Sequence, residues 1–166
     1  MLFHVNEEEA KKAKLPHDLF LINLIFNHIF MFAAFLSASS LWKWVIMVPI
    51  FSFIVLTYTI FRARYSLKND SWYVMCHWQI CAKRSWIFIG MISLMLLAVA
   101  IILLVSGGHP RPQQIALAGI AILPTMVTTF VLIIMETVSL DDSRNGRVPD
   151  AVVERFSEGK YTPVED

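Results

Sequence analysis

The chain has 166 residues, of which 57% are hydrophobic and only 16% charged, with a net charge of +1. Soluble domains carry about 25% charged residues, and here the charges fall in blocks at 7–18, 62–70, 83–84 and 141–166. That blocked pattern excludes a single water-soluble core and leaves no room for an independent catalytic domain, because four spans of about 20 residues would take roughly half the chain.

The segment 1–18 ends in Pro16-His17-Asp18, which reads as a helix start with Asp18 as N-cap. Its acidic and basic residues and the long Phe-rich stretch that follows argue against a cleaved signal. Span 1 is predicted over residues 19–36 and carries no charge. Its polar members are Asn23, Asn27 and His28; the two asparagines share a helical face, and His28 points about 100° away. Polar groups at such depth face protein. They serve either as interhelical hydrogen bonds, worth roughly 0.6–2 kcal/mol each, or as a proton relay, quinone contact or ligand. Small residues four apart, Ala33 with Ser37 and Ala34 with Ala38, would allow close helix approach.

Span 2 is predicted over 44–61, with Pro49 bending it and Ser52 placed to satisfy a freed carbonyl. The loop that follows holds Arg62, Arg64 and Lys68, then Asn69-Asp70-Ser71, a second helix-start signal. Residues 72–84 contain neither Gly nor Pro. Two readings stay open there. Span 3, predicted over 85–105, either begins near Ser71 and forms a rod of roughly 50 Å, or is preceded by a separate interfacial helix with Trp72, Val74, Met75 and Trp78 against lipid. The string Cys76-His77-Trp78-Gln79-Ile80-Cys81 puts His77 and Cys81 four apart. A tetrahedral zinc site needs four ligands and no second Cys/His pair exists in sequence, so no metal is expected; the cysteines read as small apolar or palmitoylation-type positions. A reducing compartment argues against a disulfide.

A tight turn over 106–114, with Gly107 and Gly108, leads to span 4, predicted over 115–135. Span 4 carries the small residues Ala116, Ala118, Gly119 and Ala121, then Pro124, Thr125, Thr128, Thr129 and a terminal Glu136. Thr128 is placed to satisfy a carbonyl freed by Pro124, and Glu136 is expected to pair with Arg62 or Arg64 at the interface. The polar tail 139–166 reads as mobile or as a docking segment, with a short helix over 150–156.

Twelve of the fourteen basic residues (Lys11, Lys12, Lys14, Arg62, Arg64, Lys68, Lys83, Arg84, Arg144, Arg147, Arg155, Lys160) fall on one side of these spans, and two (Lys43, Arg111) on the other. The basic side is retained in the cytoplasm, so the expected protein is an all-α, multi-pass membrane protein with both termini inside. Its domain of four transmembrane helices, 19–138, is expected as two antiparallel hairpins. Tryptophans 42, 44, 72, 78 and 86 lie near the predicted span ends, where indole prefers the interface.

The intramembrane candidates are thus Asn23, Asn27, His28, Thr125, Thr128 and Glu136, and the interface candidates Arg62, Arg64, Trp72, Cys76, His77, Cys81 and Arg84. No nucleophile–base set or nucleotide loop appears. A single histidine within the spans gives no haem pair, so no cofactor is predicted. The basic loop is explained by topology and lipid rather than nucleic acid. The expected role is a non-catalytic subunit or assembly partner of a larger inner-membrane complex. The alternatives are a homo-oligomeric transporter or channel, then a quinone- or lipid-linked enzyme.

Overall fold

The computed structural model describes residues 1–37, 40–109 and 111–156, and for Trp42 the backbone alone. Ala38 and the last part of the tail, with their predicted packing and docking roles, lie outside the described residues. Among the described residues the chain is helical with no strand. Four stretches, Glu7–Ser37, Lys43–Asn69, Trp72–Val105 and Pro112–Arg144, are long and apolar enough to cross a membrane, as a multi-pass membrane protein requires.

The first helix, α1 (Glu7–Ile22), starts well ahead of the predicted span. Asn6 Oδ1 accepts from the Glu9 amide at 2.8 Å, and Glu7, Glu8 and Glu9 meet the positive end of the helix dipole. Asp18 is therefore not a cap; it sits inside the helix, 3.1 Å from Lys14. The Pro16-His17-Asp18 signal misled because Pro16 is accommodated within α1. The stretch then widens into a π-helical segment, Asn23–Met31, and ends as α2 (Phe32–Ser37).

A short 3-10 turn, Trp42–Ile46, leads into α3 (Met47–Asn69). Pro49 lies in the first turn of α3 rather than its interior, where a missing N–H has no intrahelical partner to lose. Ser52 Oγ instead meets side chains of the first stretch, as described below. The open choice at the third span resolves as one continuous helix, α4 (Trp72–Val105). Trp72, Val74, Met75 and Trp78 are buried in the protein and do not face lipid. Gly107 and Gly108 take positive φ in the turn that follows, as residues without a Cβ can. Helix α5 (Pro112–Arg144) begins with proline at its first position and a Gln114 side chain capping the Arg111 amide at 2.8 Å. Thr128 donates to the carbonyl of Pro124 itself, at 2.8 Å.

Two apolar clusters fix the bundle. One, near the middle, joins Phe20 and Leu24 of the first stretch to Leu56 of α3, Phe88 and Ile92 of α4, and Leu132 of α5. The other lies at the end carrying Met1. It joins Phe3, Tyr73, Met75, Trp78, Val148 and Val153. Arg62 makes a two-pronged pair with Asp70, at 2.7 and 3.1 Å, across the turn between α3 and α4, and its guanidinium lies 4.9 Å from the Trp78 ring. Arg64 instead lies over Phe61.

The tail differs from a mobile one as far as residue 156. Phe3 N donates to Gly146 O at 2.8 Å, Val148 N donates to Met1 O at 3.0 Å, and the Met1 ammonium reaches Asp150 at 2.9 Å. Helix α6 (Asp150–Phe156) forms where predicted, and its Phe156 carbonyl accepts from the Trp72 indole at 3.0 Å. The tail is thus held by the chain's own N-terminus. Within the small-residue stripe of α5, a Cβ added at Gly119 would meet nothing within 4 Å among the described residues, so this glycine is not needed for close helix approach there.

Candidate functional site

Three helices deliver a fully buried polar centre between the two apolar clusters. His17 comes from α1, His77, Cys81 and Arg84 from α4, and Glu136 from α5; His17, His77, Cys81 and Glu136 are all shielded from solvent. Positions 77, 81 and 84 follow the three- and four-residue spacing that stacks side chains on one helical face. His17 Nδ1 lies 2.6 Å from Glu136 Oε2, and Cys81 Sγ lies 3.2 Å from the same nitrogen and 3.4 Å from the same oxygen. On the other edge of the ring, His17 Nε2 meets His77 Nδ1 at 2.9 Å. Arg84 donates to Glu136 Oε1 at 2.9 Å and to Ser139 Oγ at 2.9 Å. Tyr73 stacks edge-on against His77, with ring centroids 4.8 Å apart, and its hydroxyl donates to the Ser143 carbonyl at 3.0 Å.

The electrostatics follow from this geometry. A carboxylate excluded from water is tolerable only with charged and hydrogen-bonding partners, and Glu136 has His17, Arg84 and Cys81 around it. The expected partners Arg62 and Arg64 are engaged elsewhere; Arg84 is the arginine that one face of α4 brings to α5. A nucleophile–base–orienter triad would place thiol and carboxylate on opposite nitrogens of the imidazole. Here both converge on Nδ1, and the thiol is sealed from substrate.

The intramembrane polar residues also come together more tightly than an α-helical wheel allows. Asn23 Nδ2 donates to Ser52 Oγ at 2.9 Å, His28 Nε2 meets the same hydroxyl at 2.9 Å, and Asn27 Nδ2 donates to Val48 O at 2.9 Å and Asn23 Oδ1 at 3.2 Å. The π-helical turn is the reason: its i to i+5 repeat brings Asn23 and His28 onto one face. Asn27 Oδ1 is buried with no hydrogen-bond partner among the described residues.

Beyond this knot, at the end opposite Met1, the helices part around an apolar cleft of about 450 Å³. Its walls include Phe32, Pro49, Val99, Ile122 and Phe130, with His28, Thr125 and Thr129 among the lining residues. Thr125 leans toward the Met91 carbonyl at 3.4 Å, and Thr129 donates to the Thr125 carbonyl at 2.8 Å.

Of the interface candidates, His77, Cys81 and Arg84 share the buried centre with the intramembrane candidate Glu136. Cys76 is a buried core residue and, like Cys81, does not present its thiol for lipidation. Trp72 and Trp78 belong to the apolar cluster, Arg62 and Arg64 to the α3 end. Sequence reading missed His17, Ser52 and Tyr73 as members of these sites. The Asn6-Glu7-Glu8-Glu9 start could have placed His17 inside a helix; nothing local points to Ser52 or Tyr73. A scan against protein-family models, a search of curated proteins and a search of solved structures each found no match to the chain.

Proposed function

We propose that the chain is a small non-catalytic subunit or assembly partner of a larger complex in the inner (plasma) membrane, folded as two antiparallel hairpins with both termini cytoplasmic. The basic residues support the orientation, since eleven of the thirteen among the described residues fall at the end carrying Met1 and the inter-span loop. The observation that carries the role is the apolar cleft at the opposite end. Helix association within lipid rests on van der Waals fit. A bundle tied at one end and parted at the other offers walls that a partner's transmembrane helix fills better than disordered acyl chains.

The test is the native mass of the particle isolated in mild detergent through a C-terminal tag, for the wild type and for Val99→Trp, which fills the cleft. Other membrane polypeptides in fixed ratio with the wild type, lost from a folded Val99→Trp, are expected. A chain that emerges alone as a defined homo-oligomer overturns the reading. The alternative is then a homo-oligomeric transporter or channel, favoured by the Asn23–Asn27–His28–Ser52 knot and the unpartnered Asn27 Oδ1. Solute flux in reconstituted vesicles, lost in His28→Ala, would establish it.

A further inference from the structure

The buried centre between α1, α4 and α5 has the donor set of a transition-metal site. We propose that His17 Nδ1, Cys81 Sγ and Glu136 Oε2 bind one divalent ion of the zinc type.

Their convergence on a common point comes first. The three donor atoms lie within 4.8 Å of one another, and each residue comes from a different helix, so the point exists only in the folded bundle. Zinc bonds of about 2.3 Å to sulfur and 2.0–2.2 Å to nitrogen and oxygen put tetrahedral donors about 3.3–3.6 Å apart. Cys81 already lies 3.2 Å from His17 and 3.4 Å from Glu136. The 2.6 Å contact between His17 and Glu136 must open by the most, and the Cys81–His17 contact by a few tenths of an ångström, which they do when a metal replaces the proton held there. The thiol proton and that shared proton leave as the ion enters. Two anionic ligands then balance a divalent charge.

The surrounding residues are those that ligands of this kind need. A metal-bound imidazole is oriented by a partner on its other nitrogen, and a metal-bound carboxylate is itself hydrogen-bonded. His77 Nδ1 fills the first role at 2.9 Å from His17 Nε2, and Arg84 the second at 2.9 Å from Glu136 Oε1. His77 sits across the ring from the proposed ion and is a positioning residue, not a ligand. Because Arg84 holds the second carboxylate oxygen, the three ligands leave a fourth position for a water molecule. Mixed sulfur, nitrogen and oxygen donors favour zinc or cobalt(II) over magnesium or calcium, which take oxygen ligands. Closed off by the two apolar clusters, such an ion ties three helices together at one point and stabilises the bundle as a bound ligand does.

The test uses the full-length protein in detergent, stripped with a chelator and reloaded with zinc or with cobalt(II). One ion per chain by elemental analysis is expected. The cobalt form should show the visible bands of a tetrahedral centre and a thiolate-to-cobalt charge-transfer band in the near ultraviolet. Cys81→Ser, whose helicity is checked by circular dichroism, should lose that band, while Cys76→Ser keeps it. His77→Phe should keep the band and weaken zinc affinity by about 10–100-fold, as loss of an orienting partner does. If Cys81→Ser does not fold, X-ray absorption of the zinc-loaded wild type decides, with one sulfur neighbour at about 2.3 Å expected. A folded wild type that retains no ion, a band that survives Cys81→Ser, or a zinc spectrum without sulfur overturns the proposal and leaves the centre an ion-pair knot.

Discussion

Glu136→Ala is the substitution that tests the buried centre most directly. The carboxylate holds His17 at 2.6 Å and Arg84 at 2.9 Å, and itself has no solvent exposure. Removing it leaves a guanidinium that is only 13% exposed without its counter-charge. Breaking one side of a buried pair costs about 3–5 kcal/mol. At about 2–4 °C per kcal/mol for a chain of this size, the melting temperature should fall by roughly 6–20 °C. Thermal unfolding in a fixed detergent, with metal removed, is the assay. The exposed Glu154→Ala should stay within about 0.5 kcal/mol of wild type. Adding Arg84→Ala to Glu136→Ala should cost less than the two separate losses combined, because the second change removes the stranded charge; couplings of this kind run to about 0.5–3 kcal/mol. A Glu136→Ala protein as stable as wild type, or a strictly additive double variant, would refute the view that these charges hold α1, α4 and α5 together.

Asn27→Ala removes bonds to Asn23 and Val48, and should cost about 1–2 kcal/mol in the same assay; a loss below about 0.3 kcal/mol would count against the knot as a structural element. Gly146→Ala drives a Cβ into the Phe3 carbonyl oxygen at a φ of 72°. The backbone strain alone is of order 1–3 kcal/mol, so amide exchange at Phe3 and Val148 should speed up markedly; unchanged exchange would show that the N-terminus does not depend on this turn. Trp72→Phe keeps an aromatic ring but loses the bond to Phe156, a change of about 0.5–1.5 kcal/mol. Limited proteolysis should then cut within α6 sooner than in wild type, and equal cutting rates would argue that the indole bond does not hold α6 down.

The four spans were legible in the sequence because lipid imposes its demand residue by residue: a helix must be about 20 residues long and free of charge whatever packs beside it. The short helix at 150–156 and the Gly107-Gly108 turn were equally local signals. The start of α1 was written in Asn6 and its three glutamates but was outweighed by a proline that the helix accommodates. Helical-wheel reasoning kept His28 apart from Asn23, and only the π-helical widening of the first span brings them to Ser52. The buried centre was beyond reach for a different reason. His17, Cys81 and Glu136 are separated by 64 and 55 residues, and no periodicity within one helix records which face of another it will meet. The sequence by itself determined that this chain carries four helices long and apolar enough to cross a membrane. The tertiary structure alone decided that a histidine, a cysteine and a glutamate from three helices share one buried point, because side-chain packing between helices, not hydropathy along them, sets that meeting.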